Sequence, residues 1–312
     1  MDESLLFKSL SRNDENKILD LFKFSFNRDI DREVWRWLSY DCPTGLNRTS
    51  IIQDINTHEL VGSYSLLPIR LRLNNREVKA SLCNNVNTHP NYQGRGLFTK
   101  LGFYALGLEN GFNTTVSLGM PNQKAIPGHL KVNWKVMCNL PFLVKHNCKV
   151  QSHDCIEVKK FDKEFDDFFR RTAKKFAFIV LKDHQFMNWR VVSRPDQKYK
   201  IYIYRDNNQL KGYVVLKHFK EGEYSKTHII DIHADSHEIL HHLISVAESF
   251  AYNSDELNMW TNYHNPYQQV FLNRGFYERS STDLLIIHFN DDKQSEIQDG
   301  NWWFCLADND VY

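Results

Sequence analysis

The chain has 312 residues, of which 42% are hydrophobic, 25% charged and 13% aromatic, the make-up of a globular protein with room for two domains. Its 39 basic and 38 acidic residues leave a formal net charge of +1, which excludes a general electrostatic grip on nucleic acid polymers or anionic membranes. Met1-Asp2-Glu3-Ser4 opens the chain without a basic segment before an apolar run, and no run nears the roughly 20 residues that span a bilayer, so the predicted compartment is the cytoplasm.

In chain order, residues 16–26 are amphipathic and predict a first helix. Residues 60–73 and 77–88 alternate and are rich in β-branched side chains, predicting two strands. Residues 96–110 predict a helix, 113–119 a strand and 122–131 a short helix. A later helix is predicted over 236–252. Six cysteines (Cys42, Cys83, Cys138, Cys148, Cys155, Cys305) lie scattered without a CxxC pair and predict reduced thiols, mostly buried.

A long-period repeat runs through this order. Trp37-Leu38-Ser39-Tyr40-Asp41-Cys42-Pro43 returns as Trp189-Arg190-Val191-Val192-Ser193-Arg194-Pro195, each copy following an aspartate, Asp31 or Asp183. Each then leads into a strand carrying a glycine, Gly62 or Gly212, and residues 122–134 find an echo in 265–276. Two halves are therefore expected, 1–150 and 151–312, joined across the polar stretch 146–155.

The chemistry points to the first half. Val86-Asn87-Thr88 ends a strand, Pro90 stops it, and Gln93-Gly94-Arg95-Gly96-Leu97-Phe98 turns into a helix. Glycines at that spacing let backbone N–H groups converge on a pyrophosphate, and the helix start adds partial positive charge. The GxGxxG dinucleotide fingerprint is not met. The second half has no glycine between Gly222 and Gly275 and runs from Asp235 straight into a helix, so it has no such nest. His237-Glu238-Ile239-Leu240-His241 matches the zinc-protease pattern, but no third-ligand motif follows, and no metal site is expected.

The loop resembles the cofactor motif of the GNAT acyltransferase superfamily, Arg/Gln-x-x-Gly-x-Gly/Ala, with Phe98 in the last place. Downstream, Asn122, Ala125, His129, Asn133 and Trp134 stand where many GNAT enzymes carry Asn, Ala, Tyr and Gly-Phe. The resemblance implies an α+β protein of two tandem GNAT-like domains, each a mixed, mostly antiparallel sheet flanked by helices. Residues 1–150 would bind acyl-coenzyme A as co-substrate, and 151–312 would be a degenerate copy serving the acceptor. It implies cofactor contacts from Val86, Asn87, Thr88, Gln93, Gly94, Arg95, Gly96, Leu97, Phe98 and Asn122. His129 falls in the register of the acid that protonates the departing thiolate. Asn84 and Asn85 stand where some relatives hold a base, and could orient an acceptor or a water.

The two-half organisation is similar to tandem GNAT enzymes that acylate nucleotide-linked amino sugars. That likeness implies transfer of acetyl or 3-hydroxybutyryl to a dTDP-linked 3-amino-3,6-dideoxyhexose, with Tyr263, His264, Asn265 and Tyr267 as sugar contacts. A peptide or small-amine acceptor, and a non-catalytic acyl-coenzyme A sensor or scaffold, are the alternatives.

Overall fold

The computed structural model describes residues 4–290, 297–298, 300–310 and 312. It divides into two compact units, one of Met1–Arg70, Val78–Met137 and Leu284–Glu296, the other of Leu71–Glu77, Cys138–Asp283 and Ile297–Tyr312.

The first unit begins with β1 (Leu5–Ser9), α1 (Glu15–Phe26) and α2 (Arg32–Tyr40). Asn27 adopts the left-handed conformation that ends α1, and Asp31 starts α2 by accepting the Glu33 N–H at 2.7 Å. There follow β2 (Arg48–Asp54), β3 (Leu60–Leu73), β4 (Arg76–Thr88), α3 (Leu97–Glu109), β5 (Val116–Gly119), α4 (Ile126–Leu130) and β6 (Lys135–Asn139). One face of the sheet, with Tyr64, Leu66 and Ile52, packs on Leu97, Leu101 and Ala105 of α3; Ile51 and Leu60 pack on Ile18, Leu21 and Trp35. The far end of α3 is tied to β2, where the Arg48 guanidinium donates twice to buried Glu109, at 2.7 and 2.6 Å.

The second unit repeats the plan with β7 (Phe142–Lys145), β8 (Ile156–Val158), α5 (Glu164–Ala173), β9 (Phe178–Leu181) and α6 (His184–Met187), which runs on through Asn188–Val192. Asp183 caps α6 by accepting the Phe186 N–H at 2.8 Å, the counterpart of Asp31. The two repeated aspartates are thus helix starts. Then come β10 (Lys200–Asp206), β11 (Gln209–Glu221), β12 (Tyr224–Ala234), α7 (His237–Phe250), β13 (Glu256–Trp260), α8 (Gln268–Asn273) and β14 (Tyr277–Arg279), then β15 (Leu284–Phe289), which belongs to the first unit, and β16 (Trp302–Trp303).

Parallel pairing joins β4 to β5 and β9 to β16 in the first sheet and β12 to β13 in the second. The first runs β1-β2-β3-β4-β5-β15-β6, the second β14-β7-β13-β12-β11-β10-β8. The expected boundary near 150 needs correction. β7 comes before it yet pairs with β13 and β14, and β15 comes long after it yet pairs with β5. Compactness breaks at Met137/Cys138, and the first unit reclaims a segment from the end of the chain. β7 from the first half and β15 from the second each join the other half's sheet, which a linear boundary cannot express.

All six cysteines are free thiols. Three histidines are buried and kept neutral: burial pushes His129 and His228 down to about 4 and His233 down to about 3, from 6.5. An unfolded chain takes up these protons near 6.5, so stability present above that pH is lost as pH falls towards 4. We expect the urea midpoint to drop steeply between about pH 6.5 and 4.5. A midpoint flat down to about pH 5 contradicts the burial of these rings.

Candidate active site: a groove where two strands part

β4 and β5 pair only from Ala80/Val116 to Cys83/Gly119. Beyond Cys83, β4 continues through Thr88 without β5 beside it, so backbone groups of residues 84–88 face an opening. Asn85 lies inside this stretch with φ +47°, which interrupts the alternation of the strand. His89 and the turn Pro90–Tyr92 then end the strand. The Tyr92 hydroxyl donates to Asp54 at 2.8 Å and holds that carboxyl below its ordinary range, pinning the turn to β2.

Gly94 and Gly96 follow at φ +76° and +71°, left-handed values that disfavour a side chain. Gly96 is the N-cap of α3 and has no side chain to cap it. The first helical bond is Lys100 N–H to Gly96 O at 3.1 Å, leaving the amides of Leu97, Phe98 and Thr99 as the open donors of the helix start. Open amides at a glycine turn have the geometry of a nest that can cradle an anion.

Strand opening and nest belong to one groove of about 830 Å³. Val86, Asn87, Thr88, Gln93, Gly94, Gly96, Leu97 and Phe98 line it, facing Asn122, Lys124, Ala125, Gly128 and Lys131. Phe98 is accommodated by Gly128, where an added Cβ would lie 2.6 Å from the ring. Asn122 accepts the Ala125 N–H at 3.1 Å and shapes the turn into α4. Lys124 and Lys131 are two cations the motif reading missed; the signal for them is a lysine on either side of the short helix. Ser25 and Phe26 at the end of α1 also line the groove.

Several expected residues stand elsewhere. Arg95 does not line the groove; its guanidinium donates to Asn91 O at 3.1 Å and lies over the Tyr92 ring. His129 is 3% exposed and turned into the core, 3.1 Å from the Tyr64 hydroxyl and packed on Phe98 and Trp134. A neutral ring with no opening on the groove is misplaced to protonate a thiolate there. Asn84 is buried, its amide paired with Asn47 and Leu82 O, and it too lies off the groove lining.

In the second unit the corresponding helix start carries a side-chain cap. Ser236, the N-cap of α7, accepts the Ile239 N–H at 3.3 Å. Phe168, Phe169, Phe176 and Tyr267 surround His233 at the end of β12. The expected sugar contacts are mostly engaged within their own unit. Asn265 donates to Thr261 and accepts from the Tyr267 N–H, and the buried Tyr267 hydroxyl donates to Ala234 O at 3.1 Å. His264 stacks on Trp302 with centroids 4.0 Å apart, leaving Tyr263, 91% exposed, as the accessible member. Among the described residues no group of three or more His, Cys, Asp or Glu could hold a metal, and no helix is long and apolar enough to cross a membrane.

Residues 7–136 match the family model described as an acetyltransferase (GNAT) domain. No curated protein matches the sequence. Among solved structures, a GCN5-related N-acetyltransferase from Anabaena variabilis shares 13% identity at a TM-score of 0.75, over 92% of this chain and 73% of its own. An Enterococcus faecalis protein described as a probable N-acyltransferase shares 10% at 0.73, over 92% and 72%. Saccharomyces cerevisiae N-myristoyltransferase with bound myristoyl-CoA shares 12% at 0.65, over 93% and 83%. These likenesses give the fold of the whole chain, two GNAT-like sheets in tandem. With the nest and groove falling inside the matched segment, the chain carries a GNAT acetyltransferase domain over residues 7–136, and its activity class is that of an acyl-coenzyme A-dependent N-acyltransferase.

Proposed function

We propose that the chain transfers acetyl or a short hydroxyacyl group, such as 3-hydroxybutyryl, from coenzyme A to the amino group of a nucleotide-linked amino sugar. The observation that carries the donor side is the joining of nest and strand opening in one groove. The diphosphate sits on the amides of residues 97–99, and Lys124 and Lys131 meet the remaining phosphate charge. The pantetheine arm runs along the open edge of Val86, Asn87 and Thr88.

The acceptor nitrogen attacks the thioester carbon, and its electron pair forms the new C–N bond. Charge develops on the thioester oxygen, where a backbone N–H near Val86 stabilises it. The C–S bond then breaks, the nitrogen gives up its extra proton to water, and the thiolate, of ordinary pKa about 8.5, takes a proton from water and leaves as the thiol. Among the described residues no carboxylate lines the groove. The acceptor amine is therefore weakly basic, near the α-amino value of about 8, so that a useful fraction is neutral at pH 7. An amine on an oxygen-bearing sugar ring meets that requirement. With a capped α7 and an aromatic filling in the second unit, one coenzyme A binds per chain. Cytoplasmic placement follows from these substrates.

Mass spectrometry after incubation with acetyl- and 3-hydroxybutyryl-coenzyme A and a panel of nucleotide amino sugars tests the reading. An amide product on a dTDP-linked 3-amino sugar is expected, unaffected by a chelator. Transfer to peptides or simple amines alone would replace the acceptor class.

A further inference from the structure

A buried polar row crosses the middle of the second sheet. Lys217 on β11 is the cross-strand neighbour of His228 on β12, and His228 is that of Asn258 on β13. The three are 7%, 7% and 1% exposed. Further along β11, Phe219 is 41% exposed, its ring 6.0 Å from both the Lys217 ammonium and the His228 ring, so the row meets solvent on that side.

A carboxylate fixes the direction of each proton in this row. Burial alone would raise the Glu256 carboxyl, yet Arg279, donating to it at 2.5 and 2.9 Å, holds it below its ordinary range and ionised. An ionised carboxylate only accepts, so the Asn258 amide turns its nitrogen to Glu256. Asn258 Oδ1 then faces His228 Nδ1 at 2.6 Å, and that ring nitrogen carries the hydrogen. Turning the amide over would oppose two acceptors at Glu256, and turning the imidazole over would set a carbon against the amide oxygen. The ring, kept neutral by burial, therefore presents Nε2 as a bare lone pair.

Lys217 beside it has the opposite need. Among the described residues no carboxylate, carbonyl or hydroxyl oxygen bonds its ammonium. Burial, then the charges of Arg194 and Arg190, push it down to about 8, which leaves it mostly charged at neutral pH. Those two guanidiniums are engaged, Arg190 with Ala307 O at 3.0 Å and Arg194 with Asp196 at 2.8 Å. Buried charges are ordinarily paired, and this one faces an opening instead.

We propose that Lys217 and His228 form an oxyanion site in the second unit, for a ligand that sets a negative oxygen on the ammonium and donates an adjacent O–H to His228 Nε2. Hydrogenphosphate meets both demands with one group, and a hydroxy acid meets them with its carboxylate and hydroxyl. Sulfate, alike in shape and charge to hydrogenphosphate, has no hydrogen to give and would set an acceptor against the lone pair. Asn258 is a positioning residue, which touches His228 and fixes its tautomer. The site stands independently of the acyltransferase reading of the groove.

Nuclear magnetic resonance of the full chain, isotope-labelled at histidine nitrogen and titrated separately with phosphate, sulfate, lactate and propionate, tests this. The His228 ring signals, assigned by their loss in His228→Gln, report only what reaches that ring. The free protein should show the Nδ1–H tautomer with an unbonded Nε2. Phosphate should move Nε2 towards the hydrogen-bonded range, and sulfate should bind about 10-fold more weakly or worse, because it leaves a buried acceptor unmet. Lactate binding more tightly than phosphate, with propionate inert, assigns the site to a hydroxy acid; the reverse order assigns it to phosphate. Lys217→Met should keep the tautomer and weaken the anion on the order of 10-fold or more, as loss of a charge-assisted bond does. Asn258→Ala should mix the tautomers and narrow the gap between phosphate and sulfate, a change that a merely structural role would not produce. An Nε2–H tautomer in the free protein overturns the proposal. So does a His228 response that fails to separate the O–H-bearing member of either pair, or no response to any of these anions.

Discussion

A Gly96→Glu variant should fold and lose coenzyme A. Gly96 has φ +71°, and a Cβ built on it meets nothing within 4 Å, so the protein has room for a side chain. What it lacks is tolerance for one in the left-handed conformation and for a negative charge at the mouth of the nest. At about 4 Å and an effective dielectric near 20, a carboxylate and a phosphate charge repel by about 4 kcal/mol, on the order of 1,000-fold in affinity. Gly96→Ala separates the two effects. It carries the backbone strain, about 1–2 kcal/mol of stability, without the charge, and should bind far better than the glutamate. Calorimetry with acetyl-coenzyme A, on variants shown by circular dichroism to be folded, reads both. Wild-type affinity in a folded Gly96→Glu variant would place the diphosphate somewhere other than residues 94–99.

The largest stability loss is expected at Lys182. Its ammonium is wholly buried in the second unit, 2.8 Å from Asp231 and 2.9 Å from Asp308, with the Tyr213 hydroxyl also donating to Asp231 at 2.8 Å. Burial alone would push the lysine pKa down; the two carboxylates overcome it and hold it well above its ordinary value. Burial likewise raises a carboxyl, yet the lysine keeps Asp231 below its ordinary value, while Asp308 stays raised. Lys182→Ala strands two carboxylates without their cation, and breaking a buried pair in this way costs about 3–5 kcal/mol. The lysine's contribution is fully present below its unfolded pKa, about 10.4, and would be lost only as pH rises through the still higher folded value. The Asp231 contribution is present above its unfolded value near 3.9 and lost as pH falls through the depressed one. Urea denaturation of Lys182→Ala at neutral pH reads the loss. A change under about 1 kcal/mol would mean that the carboxylates find other partners or water.

Much of this molecule is legible in its residues, and the failures share a cause. Helix periodicity located α1, α3 and α7 to within a few residues, and alternation located β3 and β4, because local spacing reports which side chains share a face. The repeated aspartates were visible as a pattern, and their chemistry as helix caps emerged only with the Glu33 and Phe186 amides beside them. The glycine turn at residues 93–98 was readable because left-handed turns select glycine. Counting from Asn122 located His129 on the chain but not its direction. α4 is a single short turn, and its histidine points to Tyr64 rather than the groove. The same limit applies to Asn265 and Tyr267, polar residues whose partners come from elsewhere in their unit. Alternation also cannot say which sheet a strand joins, which is why the expected halves cut across the pairings of β7 and β15.

That exchange of β7 and β15 bears on how the protein comes into being. Ile286–Phe289 pair with Val116–Gly119 in antiparallel register, with roughly half of the chain between them. A nascent chain emerging N-terminus first makes the glycine turn early but cannot complete the first sheet until nearly the whole polypeptide has been synthesised. Until then β5 presents an unpaired edge, and Phe142–Lys145 waits for β13 and β14. Contacts this distant in sequence slow folding and prolong exposure of sticky strands. A gene cut at codon 150 would therefore yield an aggregation-prone fragment rather than a minimal cofactor-binding module.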